Sequence, residues 1–538
     1  MKYILPVLFL SLLCACNNAE QSSLPGVTEV STPEYGDTFI EASIGDASTL
    51  LPVLASDSSS SDINSQLYNG LVRYDKNLQV EGELAESWEI SDDNLTITFH
   101  LRKNVKWHDG APFTAADVKF NYELYIDPKT PTAYAESFKQ VTRVEVPDPH
   151  TFVVHYEKPY APALISWGMP VHPKHLLEGQ DVTKSKLARK PVGTGPYKLT
   201  EWLSGEKVVL ESNPDYFEGQ PYIKRIVYRV IPDQATQFLE LQTGSLDFMG
   251  LSPLQFDRQT DTPAFKRLYN KYQYLAFGYT YLGYNLRRPM FQDKRVRQAL
   301  SFALNKQEII DGVLLGYGAA ATGPYKPDTW VYNADVPRYA YNPEKARELL
   351  AEAGWVDSDG DGVLDKNGQK FAFAIVTNQG NDLRSKTGEI IQRRFKDIGI
   401  EVKLRVIEWA TFLKEFINPG NFDATILGWT GGPEPDQYNI WHSSKTGPRQ
   451  LNFIKYENAE IDQLLEEGRR VFDQQQRKAY YDRFQQILAE DQPYTFLYVS
   501  EALPAVSKRF RGVEAAPAGI RYNFNQWFVP KSEQKYLR

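Results

Sequence analysis

Helix and strand signals alternate regularly in the last two fifths of the chain, and this alternation limits the fold more than any other feature. A helix begins where Asn342 can cap it and Pro343 takes the first helical position. Apolar residues at 383–398 then follow a helical period, residues 400–406 alternate as in a strand, and 424–428 form a short apolar run. Because strands that alternate with helices pair in parallel, we expect an α/β fold.

The loop that follows the run 424–428 has the composition of a ligand pocket. Glycine and proline at 431–435 stop both strand and helix. Ligands bind beyond the carboxyl ends of parallel strands, and flat apolar side chains with a few carboxylates are typical of such sites. The candidate ligand contacts in this loop are Trp429, Glu434, Asp436, Tyr438 and Trp441. Alternatively, the loop is a connector whose tryptophans pack against the core.

Length and composition narrow the class of protein. A chain of 538 residues is too long for one hydrophobic core, so we expect two or three domains. The formal net charge is −8 and basic residues form no cluster, which argues against a nucleic-acid partner. Aromatic residues make up 13 %, which favours stacking on a ligand, an oligosaccharide included. No catalytic signature such as G-x-S-x-G or H-E-x-x-H is present, so we do not expect an enzyme.

The first sixteen residues have the pattern of a bacterial lipoprotein signal. A basic residue precedes an apolar stretch that is too short to span a bilayer, and Leu13-Cys14-Ala15-Cys16 resembles a lipobox. We therefore expect a signal peptide at 1–15, lipidation of Cys16 and a flexible tether at 16–36. An ordinary signal peptide cut at the same place is the alternative. Both cysteines lie in this segment, which excludes a disulfide framework.

Five blocks of the chain carry a family resemblance. They are LYNGLVRYD (67–75), residues 84–123, VGTGPYKL (192–199), residues 281–310 and YNPEKARELLAEAGW (341–355). These blocks resemble the family 5 extracytoplasmic solute-binding proteins, the oligopeptide-, dipeptide- and nickel-binding components of ABC importers. The resemblance implies a periplasmic-binding-protein-like, two-lobed clamshell of class II, with an extra α+β domain inserted in the first lobe.

The resemblance also implies domain boundaries and a function. The boundaries are 37–80, 195–283 and 504–538 for lobe I, 81–194 for the inserted domain and 284–503 for lobe II. The implied function is that of a monomer, lipid-anchored in the periplasm or at the cell surface, which closes on a small solute and delivers it to an ABC permease and ATPase. An oligopeptide is the leading ligand, with an oligosaccharide or a metal chelate as the alternative. A secreted hydrolase and a peptide-binding chaperone are the alternatives of other classes.

A peptide ligand would need a carboxylate for its ammonium group and a basic residue for its carboxylate, because an unpaired buried charge is costly. Peptide-binding relatives carry an Ala-Asp pair shortly after the loop tryptophan, where this chain has Gly431 and Gly432. We therefore expect Asp436 or Glu434 to hold the ammonium group, or the ligand to lack one. Arg384 is the candidate for the ligand carboxylate; otherwise it is an exposed helix charge.

Six further residues are candidate ligand contacts because they end strands or loops near the expected crevice or near the crossing between the lobes. They are Trp409, Asn378, Tyr284, Asn285, Tyr68 and Asn69. Each has a core or hinge role as its alternative.

An aspartate-rich loop has the spacing of a calcium site. Asp357, Asp359, Asp361 and Asp365 could supply oxygen ligands, and a glycine within the loop permits a sharp turn. Gly368 stands at the twelfth position, where a glutamate would complete such a site. The alternative is a polar turn whose aspartates accept backbone amides. Apart from this structural calcium, we expect no cofactor.

Overall fold

The computed structural model describes residues 32–536 and shows two lobes, each built around a mixed β-sheet, together with a third, smaller sheet. The expected signal peptide, Cys16 and most of the expected tether lie outside the described residues. Within residues 32–536, no helix combines the length and the apolar character needed to cross a membrane.

The strands follow one another along the chain in a fixed order. They are β1 (Gly36–Ser43), β2 (Val72–Tyr74), β3 (Val80–Gly82), β4 (Ala85–Ile90), β5 (Thr96–Leu101), β6 (Val141–Asp148), β7 (Thr151–Tyr156), β8 (Tyr197–Leu203), β9 (Lys207–Ser212), β10 (Ile223–Val230), β11 (Phe248–Gly250), β12 (Tyr269–Lys271), β13 (Tyr274–Leu275), β14 (Gly278–Tyr284), β15 (Gly318–Ala320), β16 (Asp365–Lys366), β17 (Gln369–Lys370), β18 (Ala372–Asn378), β19 (Glu401–Ile407), β20 (Ala424–Thr430), β21 (Tyr494–Ala502) and β22 (Pro504–Ser507).

The α-helices are numbered in the same way. They are α1 (Ser58–Leu67), α2 (Ala115–Ile126), α3 (Ala163–Ser166), α4 (Lys174–Leu177), α5 (Gln234–Gln242), α6 (Pro263–Leu268), α7 (Pro289–Gln292), α8 (Lys294–Phe302), α9 (Lys306–Gly312), α10 (Pro343–Glu352), α11 (Asp382–Lys396), α12 (Trp409–Thr411), α13 (Tyr438–Trp441), α14 (Ala459–Gly468) and α15 (Gln474–Asp491).

The first lobe is built on a sheet with the strand order β12-β22-β11-β1-β10-β9-β8. The central strand β1 runs parallel to β10 and β11. Phe39 on β1 packs edge-on against Phe510, Phe524 and Trp527, with ring centroids 5.0–6.0 Å apart. These three aromatic residues come from the end of the chain, so the chain returns to this lobe after building the second one.

The second lobe contains the α/β alternation that the sequence predicts. Its sheet has the order β13-β21-β14-β20-β18-β19, and β18 runs parallel to both β19 and β20. The Asn342 side chain accepts a hydrogen bond from the amide of Lys345 and so caps α10 as expected. The helix predicted at 383–398 is α11, which buries Ile391 and Phe395 against this sheet.

The third sheet lies within residues 81–194 and has the antiparallel order β4-β5-β7-β6. It has a hydrophobic cluster of its own, in which the indoles of Trp107 and Trp167 are buried. Trp167 packs against Phe138 and Phe152 with ring centroids about 5 Å apart. Because this cluster also takes in Leu51 and Leu71 of the first lobe, the third sheet stays attached to that lobe.

The chain crosses between the two large sheets twice, where β12 leads into β13 and where β21 leads into β22. Strand β14 pairs along its whole length with β20, and its second half pairs with β21. Residues 278–284 therefore belong to the second sheet, and the boundary expected after residue 283 is wrong by about ten residues. The physical reason is burial: six of the seven residues of β14 are buried, as befits a strand between two neighbours.

Candidate functional site

A cavity of about 700 Å³ lies between the two lobes, within the size range of small-molecule sites. Strands β14 and β20 of the second lobe form one side of it, and segments of the first lobe form the other. The lining residues from the second lobe include Tyr274, Tyr279, Thr280, Arg384, Gly428, Trp429 and the glycines at 431 and 432, and those from the first lobe include Tyr74, Leu78, Ala518 and Tyr522.

Trp429 lines this cavity from the end of β20 and not from the loop beyond it. The indole is half-buried, its Nε1 donates to the Tyr494 hydroxyl at 3.3 Å, and its ring lies 5.7 Å from that of Phe453. These contacts hold the indole in place, so the remaining exposed part presents a fixed apolar surface to the cavity.

Arg384 is the one charged residue among the described residues that line the cavity. Its Nη1 donates to Asn378 Oδ1 at 2.8 Å, and within the described part of the chain it forms no ion pair and its Nε has no hydrogen-bond partner. Burial lowers the pKa of the guanidinium by disfavouring its charge. A partly buried cation without a carboxylate is unfavourable, and an anionic ligand group would supply the missing partner.

Gly428 and Asn378 position the Arg384 guanidinium. A Cβ on Gly428 would lie 2.8 Å from Arg384 Nη2 and 2.9 Å from the Tyr279 carbonyl oxygen, so only glycine lets the guanidinium lie over β20. Asn378 is fully buried behind Arg384 and does not line the cavity. The expectation that Asn378 contacts the ligand is wrong, because its amide oxygen is occupied by the arginine.

Glu434 and Asp436 do not supply a carboxylate to the cavity, contrary to expectation. Glu434 forms an ion pair with Arg477, and Asp436 accepts hydrogen bonds from Arg469 at 2.6 and 3.0 Å. Burial raises the pKa of Glu434, and Arg477 opposes that shift. Both carboxylates neutralise buried guanidinium groups of their own lobe, which leaves none for a ligand.

Tyr438 and Trp441 also serve the interior of the second lobe. The Tyr438 ring stacks on that of His442 at 3.9 Å, and the Arg469 guanidinium lies 3.9 Å from the centre of the Tyr438 ring. Trp441 is fully buried, with its ring 4.6 Å from that of Tyr494. Neither lines the cavity, so both are core residues, which was the alternative interpretation of the loop.

Trp409 lies at a contact between the lobes. A Cβ on Gly45 of the first lobe would come within 2.9 Å of Trp409 Cβ, so the two residues touch. The indole is buried, stacks on Phe412 and does not line the cavity. Its role as a ligand contact stays a prediction, and the structure places it in the interface that the lobes share.

Tyr284 and Asn285 hold the second lobe together. The Tyr284 hydroxyl shares a hydrogen bond with Thr495 Oγ1 at 2.7 Å, and Asn285 Nδ2 donates to the Phe422 carbonyl at 2.7 Å. Both residues are buried and neither faces the cavity, which corrects the expectation of ligand contact.

Tyr68 and Asn69 are structural residues of the first lobe. The Tyr68 hydroxyl donates to the Leu50 carbonyl at 3.2 Å, and Asn69 Nδ2 donates to Glu83 at 2.8 Å. Tyr68 lines no part of the cavity between the lobes, and Asn69 borders a separate, smaller cavity. These contacts correspond to the core role that was the alternative for both residues.

Tyr74, Tyr279 and Tyr522 line the cavity and were missed by the sequence interpretation. They come from three distant segments and carry no motif. The buried Tyr279 hydroxyl has no hydrogen-bond partner among residues 32–536. The abundance of tyrosine was the only signal, and it does not say which tyrosines converge.

The aspartate-rich loop brings three of its four carboxylates together. Ligand atoms of Asp357, Asp359 and Asp361 lie within 4.8 Å of one another at the surface. Asp365 is not part of this group, because it accepts hydrogen bonds from the amide and hydroxyl of Ser358 at 2.9 and 2.7 Å. Calcium binding stays a prediction, and a change in melting temperature on chelator treatment is its test.

Comparison with known proteins relates the chain to a large family. The family model for bacterial extracellular solute-binding proteins, family 5, matches residues 79–450. The chain belongs to this family. This family 5 protein is 36 % identical to the oligopeptide-binding protein AppA of Bacillus subtilis over 531 residues, which cover 96 % of each chain.

Solved structures of family 5 proteins share the fold. The structure of AppA from Bacillus subtilis in complex with a nonapeptide has a TM-score of 0.89 and 36 % identity, and the match covers 93 % of this chain and 100 % of that chain. NikZ from Campylobacter jejuni in complex with Ni(L-His) has a TM-score of 0.83 and 27 % identity, with 91 % and 99 % covered. The family comprises substrate-binding proteins of ABC transporters and not enzymes, so the secreted-hydrolase alternative is wrong.

Proposed function

We propose that this family 5 protein captures an oligopeptide with a free carboxylate in the cavity between its lobes and delivers it to an ABC permease. The observation that carries the proposal is Arg384, a cation without a carboxylate partner among the described residues, in the wall of a cavity of about 700 Å³. The ligand carboxylate would pair with this guanidinium, and Trp429 with the lining tyrosines would cover the apolar part of the ligand. The AppA–nonapeptide structure supports a peptide as the ligand.

Capture would work by closure of the two lobes, since a ligand that contacts both favours the closed state. The two crossings between the large sheets are short, which suits a hinge. The segment that carries the third sheet, residues 81–194, also contacts the second lobe. We call this contact the clasp, and it is formed by Glu136, Lys445, Asp436 and Arg469. Lys445 Nζ donates to Glu136 Oε2 at 2.9 Å, and the side chains of Glu136, Lys445 and Arg469 are 4–6 % exposed.

The proposal includes a lipid anchor at Cys16, which rests on the lipobox-like residues 13–16 alone. The anchor would keep the protein at the membrane, near the permease that receives the ligand. Metabolic labelling with a radioactive fatty acid tests this part, and we expect wild type to be labelled and a Cys16→Ser variant to remain unlabelled.

The identity of the ligand can be read from the purified protein. Denaturation followed by mass spectrometry of the released small molecules should yield peptides, and their lengths would give the length preference. Sugars in the extract, or the absence of any released small molecule whatever amount of protein is denatured, would contradict a peptide ligand. The same experiment on an Arg384→Gln variant should release far less peptide than wild type.

A carboxylate-bearing metal chelate is the second candidate ligand. It is favoured by the same residue, because Arg384 would bind the carboxylate of a chelating amino acid as well as that of a peptide. NikZ holds Ni(L-His), which supports this class of ligand within the fold. Metal analysis of the released material separates the two candidates.

A further inference from the structure

A second cavity adjoins the main one on the side of the first lobe and has a volume of about 290 Å³. Tyr522 lines both cavities, so the two are neighbours across one side chain. Helix α1 contributes Asp62 and Ser65 to the smaller cavity, and the C-terminal segment contributes Arg521 and Asn525. The lining is mainly polar, whereas tyrosines and a tryptophan dominate the main cavity.

The other charged residues of the smaller cavity are already paired. Arg521 forms an ion pair with Glu41 at 2.6 Å, and Arg73 forms one with Glu218 at 2.8 Å. Glu83 accepts hydrogen bonds from Asn69 Nδ2 and from the amide of Gly70, at 2.8 and 2.9 Å. These groups therefore have little left to offer to a ligand.

Asp62 is the exception. Its carboxylate takes part in no hydrogen bond or ion pair within residues 32–536, and its charged neighbours are Arg521, Glu41 and Asp57. The side chain is accessible to solvent, yet burial raises its pKa to about 6, an effect that Arg521 partly offsets. Asp62 is also one of the residues that line the smaller cavity.

We propose that the smaller cavity receives the ammonium group of the ligand on the Asp62 carboxylate, while Arg384 holds the ligand carboxylate across the cleft. This inference rests on the proposed function. Asp62 belongs to α1 of the first lobe and Arg384 to α11 of the second, so one zwitterionic ligand would join the two lobes through its two ends. In this arrangement the first lobe supplies the carboxylate for the ammonium group. The second lobe lacks one at Gly431 and Gly432, where peptide-binding relatives carry an Ala-Asp pair.

The charges of the two cavities complement those of such a ligand. Among the described lining residues, the main cavity offers a cation without a partner and no free carboxylate, and the smaller one offers a carboxylate without a partner. The unpaired Arg384 guanidinium in the cavity wall is unfavourable, and the ligand carboxylate would neutralise it, while the ligand ammonium group would pair with the accessible Asp62 carboxylate. A ligand with a blocked amino terminus would be unable to form the ion pair with Asp62 and would bind less tightly.

The test compares free and N-acetylated peptides. The protein is unfolded in denaturant to remove its ligand, refolded, and mixed with a synthetic library of mixed-length peptides with uncharged side chains, prepared in both forms. Retained peptides are quantified by mass spectrometry after size exclusion. We expect wild type to prefer the free form by about tenfold or more, and Asp62→Asn to lose this preference. Asp92→Asn, which removes an exposed carboxylate from the turn between β4 and β5, should retain it.

The other outcomes would overturn the inference in distinguishable ways. Equal retention of both forms by wild type would show that no carboxylate holds the ammonium group, while peptide binding stands. An unchanged preference in Asp62→Asn would assign the ammonium group to another residue. Retention of neither form by any variant would overturn the peptide proposal as well. Folding of the variant is checked by its melting temperature, which should not fall, because the substitution removes an unpaired carboxylate.

Discussion

At the scale of single residues, the site depends on which charges lack a partner. Glu434 and Asp436 looked suited to a ligand, but each neutralises an arginine of the same lobe. Arg384 looked like a helix surface charge in one of its two interpretations, yet it lines a cavity that has no carboxylate among its described lining residues. Residue type alone offered no means of separating these cases.

Replacing Arg384 by glutamine should weaken ligand binding strongly with little loss of stability. The ligand carboxylate would be left in the cavity without a cation, which typically costs about 2–5 kcal/mol of binding free energy. Stability should change little, because the substitution removes an unpaired, partly buried charge and also loses the hydrogen bond to Asn378. Calorimetric titration with the ligand identified by mass spectrometry measures the first effect, and thermal melting measures the second. Arg405→Gln, which changes an exposed residue on β19, is the control. Equal losses of ligand affinity in both variants would contradict the pairing of Arg384 with the ligand carboxylate.

His172 makes the stability of the protein depend on pH. It is fully buried between Asn121 and the amide of Val53, and burial lowers its pKa to about 3. The histidine of the unfolded chain titrates near 6.5, so between these values only the unfolded state binds the proton. The free energy of unfolding should therefore fall as pH drops below 6.5, by up to about 1.4 kcal/mol per pH unit from this group.

Urea unfolding at several pH values measures this dependence. Other groups titrate in the same range, so the contribution of His172 is the difference in slope between wild type and a His172→Gln variant. His100→Gln, which changes a half-exposed histidine, should leave the slope as in wild type. A wild-type slope in the His172 variant would mean that this group does not titrate as stated.

At the scale of elements, the end of β20 combines a tryptophan that faces the cavity with a glycine that admits the arginine. Trp429 presents its ring while Gly428 leaves room for the guanidinium that arrives from α11. Three parallel strands, β19, β18 and β20, set the distance between these elements. The site therefore depends on the register of the sheet as well as on the residues themselves.

A Gly428→Ala substitution should weaken binding by displacing Arg384. The new Cβ would lie 2.8 Å from Arg384 Nη2 and 2.9 Å from the Tyr279 carbonyl oxygen. The carbonyl belongs to the backbone and cannot easily move, so the end of the arginine side chain has to shift. We expect at least about a tenfold loss of affinity with a modest drop in melting temperature, as is typical of overpacking. Gly432→Ala is the matched control, since no atom lies within 4 Å of its Cβ position. Binding unchanged in Gly428→Ala would contradict the positioning role of this glycine.

At the scale of the whole molecule, charges from segments about three hundred residues apart meet between the lobes. The clasp of Glu136, Lys445, Asp436 and Arg469 is buried where the third-sheet segment meets the second lobe. Although burial opposes it, Lys445 holds the pKa of Glu136 below its usual value. If the lobes open as proposed, these side chains would become exposed to water, so the clasp would contribute to the balance between open and closed states without touching the ligand.

Glu136→Gln should shift the protein toward the open state. It removes the carboxylate that pairs with Lys445 and leaves that ammonium group buried, a cost that is relieved when the lobes separate. Ligand affinity should fall although Arg384 and Trp429 are unchanged. Small-angle scattering of the ligand-free protein should report a larger radius of gyration than that of wild type. Lys139→Gln removes a more exposed partner of the same carboxylate and should have little effect on either measurement.

The sequence predicted the elements of the second lobe well and the lobe boundary less well. Caps, helical periods and strand alternation are local, and they located α10, α11 and β19 to within a few residues. The boundary at residue 283 failed because membership in a sheet is decided by pairing partners, and β14 finds its partners more than a hundred residues away.

Local patterning and family blocks in the chain itself therefore determined the α/β class, the two-lobed architecture and the family. The tertiary structure alone decided which charged residues are free to meet a ligand. Arg477 neutralises Glu434 from 43 positions away and Arg469 neutralises Asp436 from 33, whereas neither Arg384 nor Asp62 forms an ion pair in the part of the chain that the structure describes. Electrostatic pairing depends on distance in space, and the order of residues along the chain does not contain that distance.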